Sequence, residues 1–388
     1  LAALDIKLWL ENNRLRCYVP QGISSTSEIQ IHQLRERKAE IIKFLEYSQL
    51  SSIPQNRRSD KPLPLSWAQE RLWFINQLEG KSATYNIPGA FRISGNLDIN
   101  ALQQALVEIV QRHESLRTAF QNENSTPIQV IYPESDIKIN LVDLQQLEVT
   151  ERENLIKEQA QQEATTPFDL ENSPLIRCSL LQLSSSEHVL LLTMHHIVSD
   201  GWSVGVLIQE LSTLYQAFTQ GQPSPLAQLP IQYADFAIWQ RQYLTGEILE
   251  TQIDYWKQHL SGIPDLLQLP TDYPRPTIRT YKGCITSFTL NKDLTTKLQS
   301  LSRDNGSTLF MTLYAAFSTL LYRYSSQSDI VVGSPIANRN RSEIEGLIGF
   351  FVNTLVLRTC FEENPSFKEL LTQVRETTLK AYENQDVP

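Results

Sequence analysis

The sequence predicts an α/β protein, and three stretches carry that prediction. Leu190 to Val198 is an almost unbroken apolar run of strand length, as a strand buried on both faces requires. After a break at Ser199, Asp200 and Gly201, a helical period takes over. Val204, Leu207, Ile208, Leu211, Leu214, Tyr215 and Phe218 fall on one stripe. Further on, a helix opening at Thr308, with Leu309, Met311, Leu313, Phe317, Leu320 and Leu321 read as buried, precedes a short buried strand at Ile330 to Val332. Helices and strands mixed in this order suit layers of helix packed on sheet.

Length and composition bound the rest. A chain of 388 residues, 41% hydrophobic and 20% charged, has room for two or three domains with sizeable cores. A net charge of −9 gives no reason to expect nucleic acid or an anionic membrane as partner. Cys17, Cys178, Cys284 and Cys360 lie far apart with no C-x-x-C pair. Neither a metal site nor a disulfide framework is expected, and a reducing, cytoplasmic compartment fits. No signal peptide is visible. The longest apolar helical stretch, Thr308 to Tyr322, is too short and too polar to span a bilayer. The chain opens on Leu1 rather than Met, so its beginning is expected further upstream.

Residues 1–49 read as a small module. Ile6, Leu8 and Leu10, then Leu15, Cys17 and Val19, alternate with polar residues around Asn12-Asn13, which is a hairpin pattern. One face is aliphatic. The other presents Lys7, Trp9, Arg14, Arg16 and Tyr18, suited to docking an acidic, partly apolar peptide, or equally a mixed face covered by a neighbouring helix. Thr26 or Ser27 caps a helical region running to Tyr47, and residues 50–61 read as a linker.

From Pro62 onward the elements lengthen. Ser66 and Gln69 have capping-box spacing before a helix that carries Trp67, Arg71, Leu72 and Ile75. Asp98 caps a second helix with the stripe Leu102, Ala105, Leu106, Ile109 and Val110. His113 to Phe120 is a turn into a strand; Arg112 and His113 are read as a helix-end cation and a structural histidine. Glu151 to Ala164 is a polar helix, and Leu175 to Leu183 and His188 to Val198 are two strands. An aromatic-rich helical region follows Gln232, read as core or inter-lobe contact because no basic cluster accompanies it. Asn338, Arg339 and Asn353 sit at loop or strand ends, where site residues and backbone-satisfying residues both collect.

The histidine pair holds the chemistry. Side chains alternate on a strand, so His195 and His196 are expected on opposite faces, one in the interior and one lining a cleft. A neutral imidazole with an ordinary pKa of about 6.5 can take a proton near neutral pH. Gly201 supplies backbone freedom at the turn, and its amide near the helix start can face a developing negative charge.

Seven stretches, in order, carry a family resemblance: SWAQERLWFI, RHESLRTAF, MHHIVSDGWS, YADFAIWQ, GSPIANR, IGFFVNT and QDVP. The chain from Ser66 to Pro388 resembles the condensation domains of nonribosomal peptide synthetases. The spelling HHIVSDGWS is most like the subtype that joins an L-configured donor to an L-acceptor. Heterocyclising relatives replace the histidines with paired aspartates, which argues against that chemistry here. IKLWLENNRLRCYVPQG and ERKAEIIKFL resemble the tubulysin-synthetase type of N-terminal docking domain, with its first helix clipped.

The resemblance implies two chloramphenicol-acetyltransferase-like lobes in a V, residues 62–230 and 231–388, with a tunnel between them. The second lobe is expected to be incomplete, because family members continue past QDVP. It further implies His196 at the chemistry, Gly201 as a backbone oxyanion donor, and His195 in a structural role. By the same resemblance Asp200 is expected to pair with Arg71, and Trp202, Ser334 and Asn353 are tunnel candidates. By resemblance no cofactor is expected on the chain itself, and substrates are expected on the phosphopantetheine arms of donor and acceptor carrier proteins. Further partners are the C-terminal tail of the preceding synthetase polypeptide and a downstream adenylation domain. Two other readings stay open: an acyl-CoA-dependent acyltransferase of the same fold, and a noncatalytic binding module.

Overall fold

The computed structural model describes residues 7–11, 14–18, 53–55, 62–276, 283–362 and 364–388. Leu1–Asn56 and Arg57–Pro388 are separate compact units. In the first, β1 (Lys7–Glu11) and β2 (Arg14–Tyr18) form the expected antiparallel hairpin. The helical region expected to run to Tyr47 lies outside the described residues.

In the second unit, β3 (Leu63–Pro64) leads into α1 (Trp67–Glu79). Both halves of the capping box at Ser66 and Gln69 are present. β4 (Asn86–Ser94) and α2 (Ile99–Arg112) follow, the latter capped by Asp98. Then come β5 (Thr118–Glu123), β6 (Thr126–Ile131), β7 (Ile139–Asp143), α3 (Val149–Thr165), β8 (Ile176–Gln182) and β9 (Glu187–His195). The main sheet has the order β4-β9-β8-β7, and β7 and β8, joined through α3, are its parallel pair. β3, β6 and β5 make a smaller sheet.

β9 is central and buried from His188 onward, which is why its sequence is nearly continuous apolar. The strand stops at His195, short of the expected Val198. Asn86, at the start of β4, pairs with His195, and His196 N donates to Tyr85 O just beyond it. The partner strand ends there, so His196–Val198 coil into a 3-10 turn. Ile197 and Val198 remain buried. Hydrophobicity reports burial correctly here and the strand only in part.

α4 (Gly201–Thr219) follows, with Leu207, Leu211 and Leu214 on its buried face. α5 (Tyr233–Tyr243), expected to open the second lobe, bonds back to the first. Arg241 Nε donates to Leu65 O, Gln240 Oε1 accepts from Trp67 N, and Gln232 Nε2 donates to Arg112 O. α6 (Gly246–His259) and α7 (Lys292–Asp304) precede α8 (Leu309–Ser325), β10 (Asp329–Ile336), α9 (Ser342–Glu345), β11 (Asn353–Cys360) and α10 (Phe367–Glu383). β10 and β11 pair antiparallel, and α8 and α10 cover them with a core of Met311, Tyr314, Ala315, Leu355, Leu357, Leu371 and Val374.

α8 is not buried all round as its composition suggests. Phe310, Leu313, Phe317, Leu320 and Tyr324 are exposed, at alternating spacings of three and four residues. Only one face of the helix meets the sheet and α10. Among the described residues no helix is long and apolar enough to cross a membrane. In this chain Met311→Ala is expected to cost about 2–5 kcal/mol of stability and Leu320→Ala less than about 0.5 kcal/mol, as read by urea denaturation. Equal losses would contradict the one-sided packing of α8.

Candidate active site

Three short pieces build the site: the end of β9 with its 3-10 turn, the start of α4, and the segment 339–351 between β10 and β11. His195 closes β9 and is buried among Tyr85 and Phe168. Its Nδ1 accepts from Ile197 N at 3.1 Å, which fixes the turn. Burial pushes its pKa down to about 3, helped by the neighbouring His196 and Arg177. It is a neutral structural imidazole, as expected.

His196 is half-buried. Its ring meets Phe350 edge-on at a centroid distance of 4.7 Å. Burial lowers its pKa below the ordinary histidine value. The backbone of His196 and Ser199 and the charge of Asp200 work the other way, and Arg71 adds to the lowering. The ring is therefore neutral near pH 7 and free to take a proton. The two histidines do differ in exposure, but through the change from strand to 3-10 turn rather than through strand alternation.

Asp200 does not pair with Arg71. Arg71 is exposed on α1, and the buried partner of Asp200 is Arg339, with Nη2 3.1 Å from Oδ1. Arg339 is the better partner because further donors of its guanidinium are also satisfied. Nη1 donates to Ile344 O and Leu347 O, and Nη2 also to Ser203 Oγ. Asp200 Oδ1 caps α4 through Ser203 N and accepts from Ser203 Oγ at 2.7 Å, while Oδ2 accepts from Phe351 N at 3.0 Å. Nor does Gly201 supply special backbone freedom: it has no positive φ, and a Cβ there would meet nothing within 4 Å. It is the first residue of α4, so its amide belongs to the helix's free donors.

The segment from Ile344 to Phe351 is held by side chains from elements earlier in the chain. His113 Nδ1 accepts from Ile348 N and Ser115 Oγ donates to Ile348 O. Gly349 N donates to Ser203 Oγ, Phe350 O accepts from the Tyr233 hydroxyl, and Glu345 O accepts from Trp202 Nε1. His113 Nε2 is bonded to Glu210, which Arg112 also reaches, so both residues serve structure, as the sequence suggested.

The tunnel candidates separate. Trp202 is half-exposed and lines a groove of about 660 Å³ with Gly201, Gly205, Gln209, Leu226 and Gly346. Asn353 lines a different, narrow cleft of about 10 Å³ beside Arg71, Asn338 and Phe350. Its amide is already committed, with Nδ2 donating to Gln385 O and Val387 O. Ser334 lies mid-strand opposite Leu355 and borders neither. On the hairpin, Lys7 is opposite Tyr18, Trp9 opposite Arg16, and Glu11 opposite Arg14. Sequence reasoning gives no site role to Ser203, Tyr233, Gln69 or Phe350. All four sit inside the quoted stretches, but their bonds span more than a hundred residues of chain.

Removing either member of the Asp200–Arg339 pair leaves a buried charge unpaired. Arg339→Ala is expected to cost about 3–5 kcal/mol in chemical denaturation, and Arg71→Ala less than about 0.5 kcal/mol. The reverse ranking would restore the Arg71 pairing. His195 sets a pH dependence. Unfolded, it takes a proton near its ordinary value; folded, it resists until about pH 3. The unfolded state binds more protons in between. This contribution to stability is full above about pH 6.5 and is lost on acidification by about 1.4 kcal/mol per pH unit. His195→Asn, which keeps an acceptor for Ile197 N, is expected to flatten the acid limb of a melting-temperature series.

The condensation-domain model matches residues 59–388, and the TubC N-terminal docking-domain model matches residues 1–46. A linear gramicidin synthase polypeptide of Brevibacillus parabrevis is 55% identical over 328 residues, covering 84% of this chain and 6% of that protein. Chondramide synthase of Chondromyces crocatus is 47% identical over 326 residues, covering 84% of this chain and 8% of that protein. The chain spans only 4–6% of the length of the three gramicidin synthase polypeptides that it matches. The X-domain in complex with OxyB from teicoplanin biosynthesis superposes with a TM-score of 0.77 at 30% identity, over 87% of this chain and 73% of that one. The EpoB cyclization-docking bidomain of Sorangium cellulosum shares the fold, with a TM-score of 0.76 at 21% identity over 99% of this chain and 77% of that one. The chain belongs to the condensation-domain family, the amide-forming acyltransferase domains of nonribosomal peptide synthetases, and carries a TubC-type docking domain ahead of it.

Proposed function

We propose that this domain joins an upstream carrier-bound acyl or peptidyl thioester to a downstream carrier-bound aminoacyl group, with His196 as the working side chain. The observation that carries the reading is the half-buried, neutral imidazole on the turn between β9 and α4, resting edge-on against Phe350. The acceptor amine attacks the donor carbonyl carbon, a C–N bond forms, and the C–S bond breaks. The neutral imidazole keeps one ring nitrogen with a lone pair, which takes the amine proton and passes it to the departing thiolate. Gly201, at the first position of α4, offers its amide to the oxyanion.

Alignment outweighs base catalysis in this reaction. Fixing two tethered reactants is worth roughly 7–11 kcal/mol, whereas a general base contributes about 10²–10⁴-fold. The donor is read as L-configured from the HHIVSDGWS spelling. Both substrates travel on phosphopantetheine arms, and the hairpin face of Lys7, Trp9, Arg14, Arg16 and Tyr18 receives the C-terminal tail of the preceding synthetase polypeptide. An adenylation domain downstream would load the acceptor carrier.

Mass spectrometry of the loaded donor and acceptor carriers after mixing with the protein tests this directly. Amide product on the acceptor carrier is expected, and acyl transfer from coenzyme A alone would favour the acyltransferase reading. His196→Ala is expected to lower the rate by about 10²–10⁴-fold while leaving measurable turnover. The wild-type rate should fall only below the ordinary histidine value of about pH 6.5, because the base must be unprotonated and burial has lowered its pKa. An identical pH profile in His196→Ala protein would remove the base from the mechanism.

A further inference from the structure

Two contacts place the His196 imidazole: the backbone that carries it and the ring against which it rests. Both lead back to one hydroxyl. On the backbone side, Ile197 O accepts from Gln69 Nε2 at 3.1 Å. Gln69 is buried; its Oε1 accepts from Ser66 N at 3.1 Å, and its N donates to Ser66 Oγ at 3.2 Å. Ser66 Oγ lies 2.8 Å from the Tyr233 hydroxyl. On the ring side, Phe350 touches the imidazole, and Phe350 O accepts from the same Tyr233 hydroxyl at 2.6 Å. Tyr233 closes a circuit that starts and ends at His196.

The chemistry of that hydroxyl leaves it one arrangement. Phe350 O can only accept, so the phenolic proton points there, and the oxygen accepts from Ser66 Oγ–H. Burial raises the Tyr233 pKa, so the proton stays in place. The ring is wedged against Gly349, where a Cβ would stand 2.0 Å from Cδ2 and 2.5 Å from Cε2. Ring contacts to Phe351 at 4.9 Å and Phe236 at 5.6 Å hold its other sides.

We infer that Tyr233 is a positioning residue for the condensation reaction, setting the His196 ring through Phe350 on one side and through Ser66 and Gln69 on the other. It acts through His196, so this inference rests on the role proposed for that histidine.

Tyr233→Phe keeps the wedge beside Gly349 and deletes only the hydroxyl. In the full-length polypeptide with loaded carriers, it is expected to lower kcat roughly tenfold with KM for either carrier unchanged within about twofold. Added to His196→Ala, it should change the residual rate by less than about twofold, because the ring to be placed is gone. Gln69→Met cuts the circuit on its other side at similar volume and should behave alike; it also carries the comparison if Tyr233→Phe protein does not fold. A wild-type rate in both variants overturns the inference, as does an equal fall of the residual rate in the His196→Ala background. Either result leaves His196 as the working group. Wild-type turnover by His196→Ala alone overturns both.

Discussion

A guanidinium and a carboxylate shut away from solvent need nearly all of their donors and acceptors bonded, and in the Asp200–Arg339 pair the Arg339 Nε is left without a partner among the described residues while both terminal nitrogens and both carboxylate oxygens are bonded. Each side chain is almost fully buried. Two ions in such a setting are stable only when most of their remaining donors and acceptors are also bonded. Asp200 uses its oxygens on Ser203, Phe351 and Arg339, and Arg339 uses its terminal nitrogens on Asp200, Ser203, Ile344 and Leu347. The pair therefore requires the end of β9, the first turn of α4 and the segment after β10 to be in place together. The site is a product of that joint requirement.

Around the pair, three histidines do different work in one neighbourhood. His195 and His113 spend Nδ1 on backbone amides, of Ile197 and Ile348. Burial keeps both neutral, as a ring nitrogen that accepts must be. His196 stands in different surroundings: Phe350 orients it, and the nearby backbone of His196 and Ser199 favours the protonated ring instead of opposing it. Two rings serve as fixed acceptors so that a third can remain available.

Much of this is legible in the sequence, for physical reasons that can be named. β9 and α4 announce themselves because both bury an apolar pattern of the right period, and Ser66 and Asp98 because caps are local. The partner of Asp200 is not legible. Arg71 and Arg339 both lie in motif stretches, and which one reaches the carboxylate depends on long-range burial that spacing does not encode. The length of β9 is overestimated because hydrophobicity reports burial and not hydrogen-bond pattern. The burial of α8 is overestimated because apolar residues lie on more than one face of the helix and give no hint of which face lacks a partner. Gly201 has the freedom of its residue type, although its position asks for none.

The glycine that matters is Gly349, whose missing side chain is the space that the Tyr233 ring fills. The two come from parts of the chain more than a hundred residues apart, so the tolerance of one is set by the size of the other. Chimeras that splice condensation domains between α5 and β11 inherit this lock and key from two parents. A parent carrying even a methyl group at the glycine position would evict the aromatic ring contributed by the other.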